Sequence, residues 1–254
     1  MLNLIGGQPK RMIMVSLGTF AVSLLVFISI GFAWISLSKS ASGSLVTQVG
    51  NVEAEYAFYI YLDNSRDGSS NPSLSTNECS SGSDDACYWL IENAENPYIF
   101  GDTAKVFPDD RFSFAVKVKN IGDFDAHLSL DLRHLVSQGY DIADNKIQVA
   151  FEYEVTKITY LVAGTESADV KTSSGITLHT GHFLKNVDDR YAIVENIPLS
   201  CTDVNTKEAI VYFDLYFDPL VSGKTQLGVL TNNSNAFENQ QFTISQIAVI
   251  LQKQ

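Results

Sequence analysis

The groups in this 254-residue chain that can bind a metal, move a proton or act as nucleophiles are four histidines, three cysteines and 29 acidic residues, among many serines. The one close histidine pair is His179-Thr180-Gly181-His182; His127 and His134 stand apart from it. A zinc peptidase helix reads H-E-x-x-H, which sets two ligands one turn apart with a glutamate base between them. That motif is absent, and Thr180 and Gly181 disfavour a helix. The pair therefore reads as a solvent-exposed loop. Asp63-Asn64-Ser65-Arg66-Asp67-Gly68 resembles the start of a calcium loop, with oxygen ligands at positions one, three and five and glycine at six. Calcium then requires a bidentate acid at position twelve, where Leu74 stands, so this stretch reads as a polar loop. Neither a G-x-S-x-G elbow, a P-loop nor a G-x-G-x-x-G turn occurs. The acidic pairs Asp109-Asp110 and Asp188-Asp189 fall in turn-like stretches and read as solvated charge. The expectation is a protein that is not an enzyme, with no catalytic residues, no metal site and no cofactor.

Thiol chemistry is more informative. Cys79, Cys87 and Cys201 are the only cysteines, and no C-x-x-C or cysteine–histidine spacing suits zinc. In an oxidising compartment an odd count means one disulfide plus a free thiol, or a bridge to another chain. Cys79 and Cys87 flank a short loop rich in serine, glycine and aspartate that can close on itself, so this pair is the disulfide candidate. In a reducing compartment all three would be thiols.

The compartment is set by the first forty residues. Lys10 and Arg11 precede an uncharged, mostly apolar run over residues 12–37, and the next charge is Lys39. As a helix this run reaches roughly 39 Å, more than a ~30 Å hydrocarbon core requires. The basic pair holds its amino end in the cytoplasm. The chain thus divides into a short cytoplasmic segment (1–11), a transmembrane signal anchor (12–37), a flexible Ser/Ala/Gly tether (38–45) and an extracellular domain (46–254). The alternative is a secreted protein whose leader is cleaved. The run is long for a leader, and the small-residue candidates (Ser38-Lys39-Ser40 and Ser40-Ala41-Ser42) lie after it.

Beyond the tether, period-2 alternation dominates. Residues 52–62 crowd Tyr56, Phe58, Ile60 and Leu62 together as a strand. A polar stretch over 63–85 follows, and Tyr88-Trp89-Leu90-Ile91 resumes the core. In 111–119, Phe112, Phe114, Val116 and Val118 share one face. After Asn120-Ile121-Gly122-Asp123, the residues Ala126, Leu128, Leu130 and Leu132 share another. This predicts an antiparallel hairpin with one buried face. Strands follow over 147–155, with 158–162 continuing it or pairing back, then 191–197, 209–217 and 242–251. A short helix fits between Leu132 and Asn145. Eight to ten strands with turns between them predict an all-β antiparallel sandwich or jelly roll.

Of the 17 lysines and arginines, three lie in the first 39 residues, which leaves 14 against all 29 acidic residues, a formal charge of −15 over residues 40–254. So acidic a domain lacks the basic face that nucleic acid needs, and is repelled by anionic lipid. The same charge keeps an exported protein soluble.

Several separated features together resemble a known family. The leader ends Phe32-Ala33-Trp34-Ile35-Ser36-Leu37. Val106-Phe107-Pro108-Asp109-Asp110 runs into a strand that ends Val118-Lys119-Asn120-Ile121-Gly122, and an Asn-rich stretch from Asn232 to Asn239 precedes the last strand. This resembles the TasA/camelysin family of exported bacterial surface proteins, those with a SipW-type leader, over about a third of the chain. The resemblance implies a jelly-roll sandwich at the cell surface and, as in the best-known members, assembly into biofilm-matrix fibres. Asp109 replaces the glycine of the family's turn, and Ile35 is a poor residue for leader cleavage, which favours an anchored relative. Without H-E-x-x-H no peptidase activity is carried over. The expected function is therefore a membrane-anchored structural or adhesive surface protein that associates with itself or with a matrix component. Strand addition is its expected mechanism, with Val52, Tyr56, Phe58, Ile60 and Leu62 in the donor segment. A pilin-like filament subunit and a surface hydrolase are the alternatives. Residues 12–37 hold no acid, which argues against the pilin.

Overall fold

The computed structural model describes residues 52–62, 72–79, 86–91, 106–138, 146–184, 190–224, 227–238 and 240–254. All belong to the second of two units into which the chain divides, Val46–Gln254. The apolar run 12–37, the tether, the calcium-loop-like 63–68 and the pair Asp188-Asp189 lie outside the described residues. Among the described residues no helix is long and apolar enough to cross a membrane.

In chain order the strands are β1 (Ala54–Leu62), β2 (Cys87–Leu90), β3 (Arg111–Asn120), β4 (Ala126–Gln138), β5 (Phe151–Val162), β6 (Thr165–Glu166), β7 (Thr177–Leu178), β8 (Gly181–His182), β9 (Arg190–Leu199), β10 (Glu208–Phe217), β11 (Gly223–Lys224), β12 (Leu230–Thr231) and β13 (Gln241–Lys253). One helical turn, α1 (Leu74–Asn77), lies between β1 and β2. The larger sheet runs β2-β1-β3-β10-β5, with β6 and β8 both against β5; the smaller runs β13-β4-β9-β7, and β11 pairs with β12 alone. Among the described residues every pairing between these strands is antiparallel. The fold is an all-β, sandwich-like pair of sheets.

Alternation explains why the two sheets meet. Phe114, Val116, Val118, Val211 and Phe213 of the larger sheet share one cluster with Leu128, Leu130, Leu132, Ile193 and Ile197 of the smaller. Burying each such side chain contributes about 1.5–3 kcal/mol. Rings fill the middle of the larger sheet's inner face: Phe114 stacks on Phe58 at 5.5 Å and on Phe213 at 5.1 Å between centroids.

Four expectations need correction. β3 and β4 do not form a hairpin, because they lie in different sheets. Residues 121–125 cross from one sheet to the other, and the Asn120 amide donates to the carbonyls of Phe124 and Leu199 to fix that crossing. Alternation reveals which face of a strand is buried but not which neighbour bonds its edge, so two strands facing each other across a core give the same pattern as a hairpin. The helix expected after Leu132 is instead strand as far as Gln138, bent where His134 takes φ 55°. Residues 147–150 form a 3-10 turn, and β5 starts only at Phe151. Of the segment expected to resume the core, Tyr88 is buried, while Trp89 and Leu90 are 40% and 42% exposed.

Candidate functional site

The disulfide forms where the sequence placed it, between Cys79 and Cys87, and it closes a cap. Residues 73–79 cross the outer face of the larger sheet, the face turned away from the main core. There Leu74 packs in a second apolar cluster with Tyr59, Tyr88, Ala115, Ile210 and Tyr212. Tyr61 packs on Tyr88 with its ring tilted, at 5.0 Å, and Tyr88 meets Tyr212 edge-on at 5.9 Å. The backbone holds the far end of the cap: Cys79 N–H donates to Tyr88 O, and Glu78 bridges Tyr88 in parallel.

A carboxylate holds the near end. Glu166 accepts from Tyr212 hydroxyl at 2.6 Å, Ser75 N–H at 3.1 Å, Lys157 Nζ at 3.2 Å and Thr159 hydroxyl at 3.2 Å. Tyr212 oxygen in turn accepts from Leu74 N–H at 2.7 Å. Lys157 also donates to Ser73 hydroxyl and lies 4.2 Å above the Tyr212 ring centroid. Burial alone pushes the Glu166 carboxyl up, but the Tyr212 hydroxyl, the Ser75 amide and Lys157 together bring it below its ordinary value. Burial also raises the phenols of Tyr88 and Tyr212, so both stay protonated at neutral pH. Ionised and fully bonded, Glu166 has no lone pair aimed at a substrate. The cluster is built to hold chain, not to move protons.

Two further acids, Asp214 and Asp131, are buried. Asp214 lies beneath the same face, pairs with Arg111 at 3.2 Å and keeps Oδ1 without a partner. Burial raises its carboxyl, against the pull of Ser113 and Arg111. Asp131 on β4 is fully buried and clasped by Arg133 and Arg190, each at 2.8 Å. A hint was present: a face bearing Tyr59, Tyr61, Tyr212 and Tyr216 carries more apolar area than a solvated face needs.

The two paired histidines lie against different acids. His179 Nε2 lies 3.5 Å from Glu195, and His182 Nε2 lies 3.5 Å from Asp218. Asp109 adopts φ 79°, the conformation that glycine supplies most cheaply. Asp110 N–H donates to Phe107 O, closing a turn with Pro108 at its second position and Asp109 at its third. Tyr216 hydroxyl donates to Asp109 at 2.7 Å, which pushes that phenol up to about 12.

The donor-segment residues all belong to the larger sheet or its approach. Val52 and Ile60 are buried, Tyr56 and Phe58 pack half-buried against the main core, and Leu62 pairs with Cys87. β1 pairs with β3 from Ala54 to Tyr61 but with β2 only from Tyr59 to Leu62. Cys201 is a free thiol in a loop where its N–H donates to Asp125. No protein-family model matches the chain, and no curated protein matches it.

Proposed function

We propose that the protein is a bacterial cell-surface structural or adhesive protein of the TasA/camelysin type, with a jelly-roll sandwich held outside the membrane by residues 12–37. The Cys79–Cys87 disulfide carries this reading, since such bonds persist in oxidising compartments and are rare in the cytosol. The glycine-like backbone at Asp109 is a second support, because it keeps the geometry of the family's turn without its glycine.

Self-association by strand exchange fits the place of β1. It is the first described strand after the tether, and its core contacts come from its own side chains. Removing it would bare the edge of β3 and the slot that Val52, Phe58 and Ile60 fill. The same segment of a neighbouring copy would fill that slot with identical contacts. Exchange then costs the opening of one copy and recovers it in the polymer.

The test combines intact mass, thiol state and protease shaving of whole cells. The reading expects a disulfide-bonded domain that external protease removes, with the full-length mass in the membrane fraction. A protein with three free thiols that is shielded from protease in intact cells would overturn it. Fibres seen by electron microscopy, lost when β1 is tied to β3 by an engineered disulfide, would establish the exchange.

A further inference from the structure

We infer that the outer edge of β13 is a self-pairing surface, on which β13 of a second copy adds in antiparallel register to form a two-fold dimer. The other edges are guarded. β2 has four residues and is tied by the disulfide, and β6 and β8 have two each. The far edge of the smaller sheet carries the two-residue β7, beside a β9 interrupted by Asn196 at φ 66° and by Pro198. Short strands, prolines and bulges of this kind keep edges from pairing. β13 is 13 residues long and without proline, and from Gln246 to Lys253 it pairs with β4 without a break.

Charge and apolar area point to a second copy as the occupant. Among the 13 residues of β13 the only charge is Lys253, in a domain that is otherwise strongly acidic. Two copies therefore approach along this edge with least repulsion. Ile247 packs against the core yet stays half-exposed, so an added strand would complete its burial.

The backbone also fits. Gln254 N–H donates to Asp125 O, opposite it in the same register. In an antiparallel ladder the bonded pairs then fall on the even-numbered residues from Ala248 to Gln254, and the N–H and C=O of Ile247, Val249, Leu251 and Lys253 face outward; Phe242 and Ile244 share the core face with Ile247, so the alternation switches between Ile244 and Ile247. An overlap of the 247–253 stretches of two copies, with Ile250 on the two-fold axis, matches odd residues to odd residues. Every outward donor of that stretch then meets an outward acceptor, and Lys253 meets Ile247 of the second copy. Such a dimer needs neither the membrane segment nor exchange of β1.

The test uses full-length protein in detergent micelles, with sedimentation across a concentration series and residue-resolved hydrogen exchange. The expected result is a monomer–dimer equilibrium in which the amides of Ile247, Val249 and Leu251 slow with association. Those of Ala248 and Ile250, already bonded to β4, should not change. Ile250→Lys, at a half-exposed position outside the core cluster, sets like charges opposite each other on the axis and should weaken the dimer about tenfold, at an unchanged unfolding midpoint. A monomer at every concentration would overturn the inference. So would an association that slows amides of β1 and β3 instead, which is the signature of strand exchange.

Discussion

At the scale of single residues, the two buried acids under the larger sheet's outer face should answer pH in opposite ways. The folded-state pKa of Glu166 lies below its unfolded value, so its contribution is complete above the unfolded pKa of about 4.3 and is lost as pH falls through the folded value. Glu166→Gln weakens the acceptor of four donors and leaves Lys157 uncompensated, and should cost about 2–3 kcal/mol at pH 7. The cost should disappear at acid pH, where the wild-type carboxyl is neutral too. Asp214 is raised, so its contribution is complete at low pH and is lost as pH rises through the folded value. Asp214→Asn should therefore be neutral or stabilising by up to about 1 kcal/mol at pH 7, despite the loss of its ion pair with Arg111. Urea titrations of both variants at about pH 3 and about pH 7 read the two signs directly.

Among the elements, the cap is the piece whose stability is separable from the core. Its disulfide closes a loop of eight residues in sequence separation, for which lost unfolded-state entropy is worth about 2–3 kcal/mol. Cys79→Ser with Cys87→Ser should speed amide exchange in residues 73–79 and 86–90 and expose Tyr59 and Tyr88. The strands of the main core should stay protected. Equal loss of protection throughout would show that the cap and core unfold together. The turn between β5 and β6 carries stored strain: Ala163 and Gly164 take φ 50° and 82°. Two positive values in a two-residue hairpin loop suit Asn-Gly, while alanine in this region is strained by about 1 kcal/mol. Ala163→Asn should raise the melting temperature by about 2–4 °C, measured by calorimetry.

For the whole molecule, the governing quantity is charge. Residues 40–254 carry −15, so copies repel until salt screens them. Raising ionic strength from about 0.01 M to about 0.15 M shortens the screening length from about 30 Å to about 8 Å. Self-association of the full chain should strengthen over that range, as followed by light scattering. An association driven by opposite charges would weaken instead.

The amino-acid sequence by itself determined which strand faces are buried, the disulfide partners and the acidity of the domain. These are local: alternation is read within one strand, and Cys79 and Cys87 are close along the chain. Only the tertiary structure decided which strand bonds to which, because Phe114 and Leu130 look alike whether their strands share a ladder or face each other across a core. It also decided what covers the larger sheet's outer face. Nothing in the alternation of β10 marks Tyr212 as covered, and its cover is Leu74, distant in sequence, with Ser75 bonded to Glu166 beside it. Burial of a polar face depends on what crosses it, and no pattern within the strand records that.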